Sequence, residues 1–190
     1  MEKSHTTRQS YCLRETPYGP VALLWSVHQG RPGILRVLIS TGEGTARRRL
    51  ESLFPESTPS SCAEVDFVAN GIAAFLSGED IRFSLDIARM DLCSPFQERV
   101  LLAEHGIPRG RVTTYRRIAR HIGSASAARA VGTALASNPF TIMIPCHRAV
   151  RSDGMLGGYQ GGLKMKRSLL EMEGMSFTAS GRVVTEEFFY

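Results

Sequence analysis

Apolar positions along the chain fall into short runs with two different periods. Val21-Ala22-Leu23-Leu24-Trp25-Ser26-Val27 follows the turn residues Thr16-Pro17-Tyr18-Gly19-Pro20 and predicts a strand. Gly30-Arg31-Pro32-Gly33 breaks the pattern and Ile34 to Ile39 predicts a second strand, so the pair reads as an antiparallel hairpin. Residues 46–54 predict a short helix ended by Pro55, and a Ser/Pro-rich loop runs from Glu56 to Ala63. Val65, Val68, Ile72, Phe75 and Leu76 recur at helical spacing, with Gly78 as the stop. Phe83-Ser84-Leu85-Asp86-Ile87 alternates as a half-buried strand does, and residues 1–10 predict a frayed start.

The pattern becomes helical after Asp91. Ser94-Pro95-Phe96-Gln97 is a helix start, with Ser94 as N-cap and Pro95 in the first turn, and that helix runs to about His105, before Pro108-Arg109-Gly110. Arg116 to Ile122 predicts a short helix closed by Gly123, and Ser124 or Ser126 can cap the next one, Ala127 to Ser137. Two short helices around a Gly-containing turn resemble a helix-turn-helix. Leu163 to Glu173 predicts the last helix, stopped by Gly174. The expected fold is an α/β (α+β) N-terminal domain with a small antiparallel sheet, residues 1–90. A mostly helical domain with a winged-helix or helix-turn-helix-like motif follows, residues 91–176. Residues 177–190 form a tail to which the pattern assigns no role.

Composition narrows the function classes. At 190 residues, 43% hydrophobic and 22% charged, the chain can bury a real core. No stretch approaches the roughly twenty apolar residues of a membrane span, and the N-terminus lacks an apolar signal segment, so a reducing cytoplasm, or a nucleus in a eukaryote, is expected. The net charge of +5 matters less than its distribution. Arg109, Arg111, Arg116, Arg117, Arg120 and Arg129 lie in a stretch without one acidic residue. Such a run is usually a solvated face; without balancing carboxylates it points toward a polyanion. The four cysteines, Cys12, Cys62, Cys93 and Cys146, form no metal-ligand spacing, and no metal site is expected.

Candidate chemistry centres on Ile144-Pro145-Cys146-His147-Arg148. Most lone cysteines are small buried hydrophobes. Here proline pins the backbone and two titratable or cationic side chains follow at once, which suits a reactive thiolate. Adjacent side chains on a strand diverge, so Cys146 and His147 cooperate only if the backbone turns there or a water bridges them. The helix Ala127 to Ser137 is nearly bare, with Arg129 its one long side chain. That fits tight core packing on one face and close approach to a DNA backbone on another. The Gly157 to Gly162 loop lacks a following G-K-[ST], which argues against nucleotide binding.

In order and spacing, these motifs resemble the O6-alkylguanine-DNA alkyltransferase family, also called the methylated-DNA–protein-cysteine methyltransferases. The resemblance rests on Ser94-Pro95-Phe96-Gln97, Val112-Thr113-Thr114-Tyr115, Ala128-Arg129-Ala130-Val131-Gly132, Ser137-Asn138-Pro139, Ile144 to Arg148, Gly157-Gly158-Tyr159 and Leu169 to Gly174, about eighty residues in all. It implies direct reversal of DNA damage: irreversible, single-turnover transfer of the alkyl group of O6-alkylguanine to Cys146, with O4-alkylthymine open as a second substrate. It further implies a monomer that enters double-stranded DNA from the minor groove and flips the damaged nucleotide into a pocket, without a cofactor.

The resemblance also distributes roles. Cys146 is the nucleophile, His147 takes its proton through a water, Glu173 orients the imidazole and Tyr115 donates to the guanine ring nitrogen. Arg129 fills the gap left by the flipped base; Thr114, Ala128, Asn138 and Arg148 join it as expected DNA-binding residues, Asn138 from a hinge. Ala149, Tyr159, Gln160 and Lys166 are expected around the substrate pocket. Three positions depart from the family pattern: Arg116 where glycine is common, Leu101 for a frequent tryptophan, and Ala149 for a bulkier residue, which widens the range of alkyl groups. Cys12 and His28 do not reproduce the zinc ligand set of some members. A non-catalytic, lesion-recognising alkyltransferase-like protein is the main alternative, and retention of Cys146, His147 and Glu173 argues against it. A Cys-His hydrolase lacks a clear oxyanion hole, and a plain helix-turn-helix regulator would need more base-reading side chains than Arg129.

Overall fold

The computed structural model of the chain describes residues 8–190. The expected frayed start lies partly outside these residues, in 1–7, and the rest of it does not fray. Gln9 and Ser10 open strand β1 (Gln9–Arg14), which pairs antiparallel with β2 (Val21–His28). The predicted hairpin is present, β2 joining β3 (Arg31–Ile39), but its turn sits earlier than expected. Gln29 and Gly30 both take positive φ, 50° and 75°, as the tightest two-residue hairpin turn demands, so Arg31-Pro32-Gly33 is already strand.

Helix α1 (Ala46–Leu53) starts at Thr45, whose hydroxyl accepts from the Arg48 amide. A two-residue strand β4 (Thr58–Pro59) adds parallel to β1, giving the sheet order β3-β2-β1-β4. Helix α2 (Ala63–Leu76) then crosses the sheet. β2 is apolar on both faces because both are covered. Val21, Leu23 and Trp25 join Val65, Ala69 and Ile72 in the main core, and Ala22 and Leu24 join Ala46 and Leu50 of α1. Each such side chain contributes about 1.5–3 kcal/mol when fully buried.

The strand expected over residues 83–87 does not form. Phe83 gives its carbonyl to His105 Nε2 (2.8 Å), and the Ala88 amide turns back onto Leu85 O. Its backbone partners are thus taken locally, and only Ile87 and Arg89 reach the outer edge of β3, at Ile34.

Helix α3 (Pro95–His105) begins as predicted, with Ser94 Oγ accepting from the Gln97 amide. Strand β5 (Thr113–Thr114) leads into α4 (Tyr115–His121) and, after Gly123 at φ 71°, α5 (Ala128–Ala136). Neither Ser124 nor Ser126 caps α5; Ala127 holds that position without a side-chain bond. Helices α3, α4 and α5 pack on one another. A 3-10 turn over Cys146–Arg148 leads into β6 (Ala149–Val150), which pairs parallel with β5. Helix α6 (Gly162–Met172) and a small hairpin, β7 (Ser176–Phe177) with β8 (Val183–Val184), complete the chain.

The last residues, unassigned in the sequence, dock on the helical part. The Phe189 amide donates to Val112 O (2.8 Å), Thr113 Oγ1 donates to Phe189 O (2.6 Å), and the Tyr190 ring stacks on His121 with centroids 3.7 Å apart. One continuous core runs from Cys12 in the sheet to Leu169 in α6. Among the described residues no helix is long and apolar enough to cross a membrane, and no three His, Cys, Asp or Glu side chains gather as a metal site.

Candidate active site

The segment that carries the thiol is held at both ends before it reaches Cys146. Asn138, 2% exposed, receives the Phe140 amide on Oδ1 (2.9 Å) and donates from Nδ2 to Ile144 O (3.1 Å), closing residues 138–144 into a loop. Inside it, the buried Ile142 adopts φ 77°, a conformation that costs a β-branched residue about 1–3 kcal/mol and persists only where surroundings enforce it. The Val37 amide of β3 donates to Pro139 O (2.7 Å), so the sheet grips the loop from the other side. The backbone then bends into a 3-10 turn at Cys146–Arg148 instead of continuing as a strand.

Cys146 is 5% exposed. Burial pushes its thiol up to about 11, with the Glu104 charge adding to the rise; the Asn138 amide beside it and the Lys166 charge pull the other way. At rest the group is a thiol, and a thiolate has to be made by a base. His147 is fully buried and its Nε2 lies 2.9 Å from Glu173 Oε1. A carboxylate there demands a proton on Nε2, which leaves Nδ1 as the lone-pair nitrogen. Nδ1 is buried and has no protein partner. Burial lowers the His147 pKa despite the Glu173 contact, so the ring is a neutral base near pH 7.

Glu173 is 6% exposed and richly partnered. Arg148 reaches both its oxygens, Nε to Oε2 at 2.9 Å and Nη2 to Oε1 at 2.7 Å. Burial alone would raise this carboxyl; the hydrogen bonds from His147 and Arg148 prevail and hold it down at about 2. Arg148 also donates to Ile107 O (2.5 Å) and is 7% exposed, so its guanidinium is consumed inside the fold. Arg148, expected at the DNA, has its side chain bonded to Glu173 and Ile107 O inside the fold.

Two other residues expected at the DNA also have their side chains bonded within the fold. Thr114, 4% exposed, caps α4 by accepting from the Arg117 amide. Asn138 spends its side chain on the loop and its carbonyl on Gln160 Nε2 (2.7 Å). Both shape the site from within. Arg129 is exposed on the first turn of α5, next to the half-buried Ala128, well set on the surface and apart from the buried cluster.

The pocket residues gather around the thiol. Lys166 is fully buried and donates to Ala149 O (2.6 Å), Gly157 O (3.2 Å) and Gly158 O (3.3 Å), tying the wall at Ala149 to the glycine loop. Burial brings its pKa down to about 8, against the pull of Cys146 and Glu104. Tyr159 sets its ring edge-on to His147, centroids 6.2 Å apart, with its hydroxyl buried and unpartnered. Tyr115 lies against Gly157, where a Cβ would collide with the phenol, so only glycine fits. Burial, with Glu104 and Cys146, raises the Tyr115 hydroxyl to about 12, which keeps it a neutral phenol able to donate a hydrogen bond.

Three residues of this neighbourhood were missed from the sequence. Arg109, one of the arginine run, has a clamping role the sequence did not show: it donates to Glu79 O, Gly78 O and Met172 O, joining the end of α2 to α6. Gln97 reaches Ser137 at the end of α5. Glu104 is buried among apolar residues of α3, and its signal was legible: an acid at helical spacing with Val100 and Ile107.

Residues 95–175 match the family model described as 6-O-methylguanine DNA methyltransferase, DNA binding domain. A methylated-DNA–protein-cysteine methyltransferase of Methanosarcina acetivorans is 33% identical over 164 residues, 86% of this chain and 97% of the relative. Its counterpart in Methanothermobacter thermautotrophicus is 46% identical over 107 residues, 56% of this chain. The chain spans about 60% of the length of that relative and of several others. The crystal structure of Mycobacterium tuberculosis OGT in complex with DNA superposes with a TM-score of 0.68 at 34% identity, covering 86% of this chain and 92% of that one. With the thiol, imidazole and carboxylate arranged as above, the chain belongs to the methylated-DNA–protein-cysteine methyltransferase family.

Proposed function

We propose that this chain repairs DNA by taking the alkyl group of an O6-alkylguanine onto its own Cys146, once per molecule. The observation that carries the reading is the buried run from Cys146 through His147 to Glu173, closed by Arg148. His147 Nδ1, acting through a water, accepts the Cys146 proton; the sulfur then attacks the alkyl carbon, an S–C bond forms and the C–O6 bond breaks. Tyr115 donates a hydrogen bond to the guanine ring nitrogen, so the leaving base departs less charged, with the electron pair of the broken bond staying on it. Glu173 stabilises the imidazolium left behind. The thioether has no ready leaving group, so the reaction stops there, and the sequence of steps calls on no cofactor.

A flipped base is needed because the thiol lies inside the protein and cannot reach a stacked nucleotide. Helix α5 is the surface read as entering the minor groove. Its small residues allow close approach, Arg129 occupies the vacated stack, and Arg111, Arg116 and Arg120 stand exposed nearby in sequence for phosphate contacts. Gly132 of the same helix lies against the Tyr115 ring, which links that surface to the pocket. Residues 91–176 are thus read as the reacting and DNA-binding part and residues 1–90 as its support, in a monomer working in the cytoplasm or nucleus.

Intact-protein mass spectrometry after incubation with a duplex holding one O6-methylguanine tests the reading. The expected result is a gain of one methylene unit, mapped to the Cys146 peptide and saturating at one per protein, and none in Cys146→Ala. Lesion-selective binding without mass gain would instead make the protein a recognition module.

A further inference from the structure

One buried ionisable group takes no part in these steps. Glu104 of α3 is 0% exposed, and neither carboxyl oxygen has a hydrogen-bond partner. The helix around it is pinned on both sides: Ala103 O accepts from Tyr190 Oη (2.7 Å) and Ile107 O from Arg148. Helix α3 packs directly on the 3-10 turn of Cys146. The charged and titratable groups around the carboxyl come from every element packed there: Lys166 from α6, Arg148 and Cys146 from the turn, Tyr115 from α4 and Tyr190 from the tail. His105, its neighbour in sequence, is turned away to Phe83 O.

A buried carboxyl without a well-formed hydrogen bond keeps its proton. Burial pushes Glu104 up to about 8, opposed by the Lys166 and Arg148 charges and, less, by the Ala149 amide. Lys166, whose three donors are spent on backbone carbonyls, comes down to about 8, so the two groups titrate together. Both are linked to Cys146: the lysine charge favours its thiolate and a Glu104 charge opposes it.

We propose that Glu104 is a positioning residue for the transfer at Cys146 and acts through Lys166. Protonated, it leaves the ammonium to the Ala149, Gly157 and Gly158 carbonyls that shape the pocket. Ionised, it releases its proton to solvent, competes for that ammonium and adds a negative charge beside Cys146 and Tyr115. The proposal rests on the alkyl-transfer reading above and deepens it, by making the protonated carboxyl part of the competent site.

The test compares the parent protein with Glu104→Gln, which fixes the neutral form, in single-turnover methyl transfer from a saturating O6-methylguanine duplex. Rates should agree within about twofold below about pH 7, and the Gln variant should gain about two- to threefold over the parent near pH 9, since the parent pair has two protons to lose and the variant one. A ratio that stays flat with pH overturns the proposal. Glu104→Leu, a second neutral variant, serves if Gln fails to fold. Infrared titration of the parent keeps the question independent of activity: a neutral-carboxyl band, absent in Glu104→Gln, should fade through about pH 8. In the same titration the Lys166 Nζ resonance should shift in the parent and lose that step in the variant. Absence of the band near neutrality overturns the proposal. No methyl on Cys146 in any protein overturns the reaction itself, and the infrared and Lys166 titrations then still decide the Glu104–Lys166 link.

Discussion

Glu173 and Glu104 are the same residue type, both buried, at elements that pack on the same Cys146–Arg148 turn, and they behave in opposite ways. Glu173 receives His147 and both arms of Arg148 and is held at about 2; Glu104 has no charged side chain bonded to it and rises to about 8. Burial is common to both, so burial does not set the charge. Donors do. Where the fold supplies them, a carboxylate can orient a base; where it withholds them, the same group becomes a proton store.

The comparison breaks hardest at Glu173. Glu173→Gln removes the charge that fixes the His147 tautomer and strands Arg148, so methyl transfer should fall on the order of 10²-fold and unfolding free energy by about 3 kcal/mol. Single-turnover rates and urea titrations check the two effects, and an unchanged rate would sink the orienting role. Glu104→Leu should act in the other direction, stabilising the fold by about 3 kcal/mol at pH 7, because a neutral side chain ends the cost of keeping a proton that the unfolded chain gives up. A urea midpoint equal to that of the parent would show that Glu104 is ionised and partnered in solution.

Stability against pH sharpens the contrast further. Glu173 has a depressed pKa, so its contribution is present above about 4.5 and is lost as pH falls toward about 2, about 3 kcal/mol in all. Glu104 has a raised pKa, so its contribution is present below about 4.5 and is lost as pH rises toward about 8. Urea titrations across this range should show the parent losing stability on the alkaline side and Glu104→Leu holding it. The smallest effect on stability is expected far from both carboxyls. Arg129→Ala should change it by less than about 0.5 kcal/mol. It should nevertheless slow transfer from duplex DNA by about tenfold or more, since extruding a stacked base costs a few kcal/mol that the arginine offsets. Equal rates for variant and parent would remove Arg129 from the flipping step.

What the sequence disclosed followed physical locality. Ser94 and Gly78 act on their own neighbours, so the helix boundaries they set were readable. The covered strand β2 announced itself as an apolar run. Cys146, His147 and Glu173 were legible through a family pattern, although the hydrogen bond joining His147 to Glu173 spans 26 positions. Less legible were the surroundings of residues whose partners are distant. Arg148 looks like a surface cation until Glu173 and Ile107 surround it. Thr114 and Asn138 look available until their polar atoms are spent on backbone. Residues 83–87 have a strand's alternation, but strand formation needs a free ladder, and Phe83 O was taken by His105. The tail carries no periodicity because its aromatic residues bind one at a time, to Val112, Thr113 and His121.

The grip of β3 on the thiol loop has a consequence for solubility. In the order β3-β2-β1-β4, β3 is an outer strand, and outer strands present unpaired amides that recruit other chains. Here Val37 is engaged by Pro139, and Ile34 by Ile87 and Arg89. The segment that carries Cys146 therefore doubles as a shield against edge-to-edge aggregation. Damage to that segment should register as self-association of the protein as well as loss of reaction.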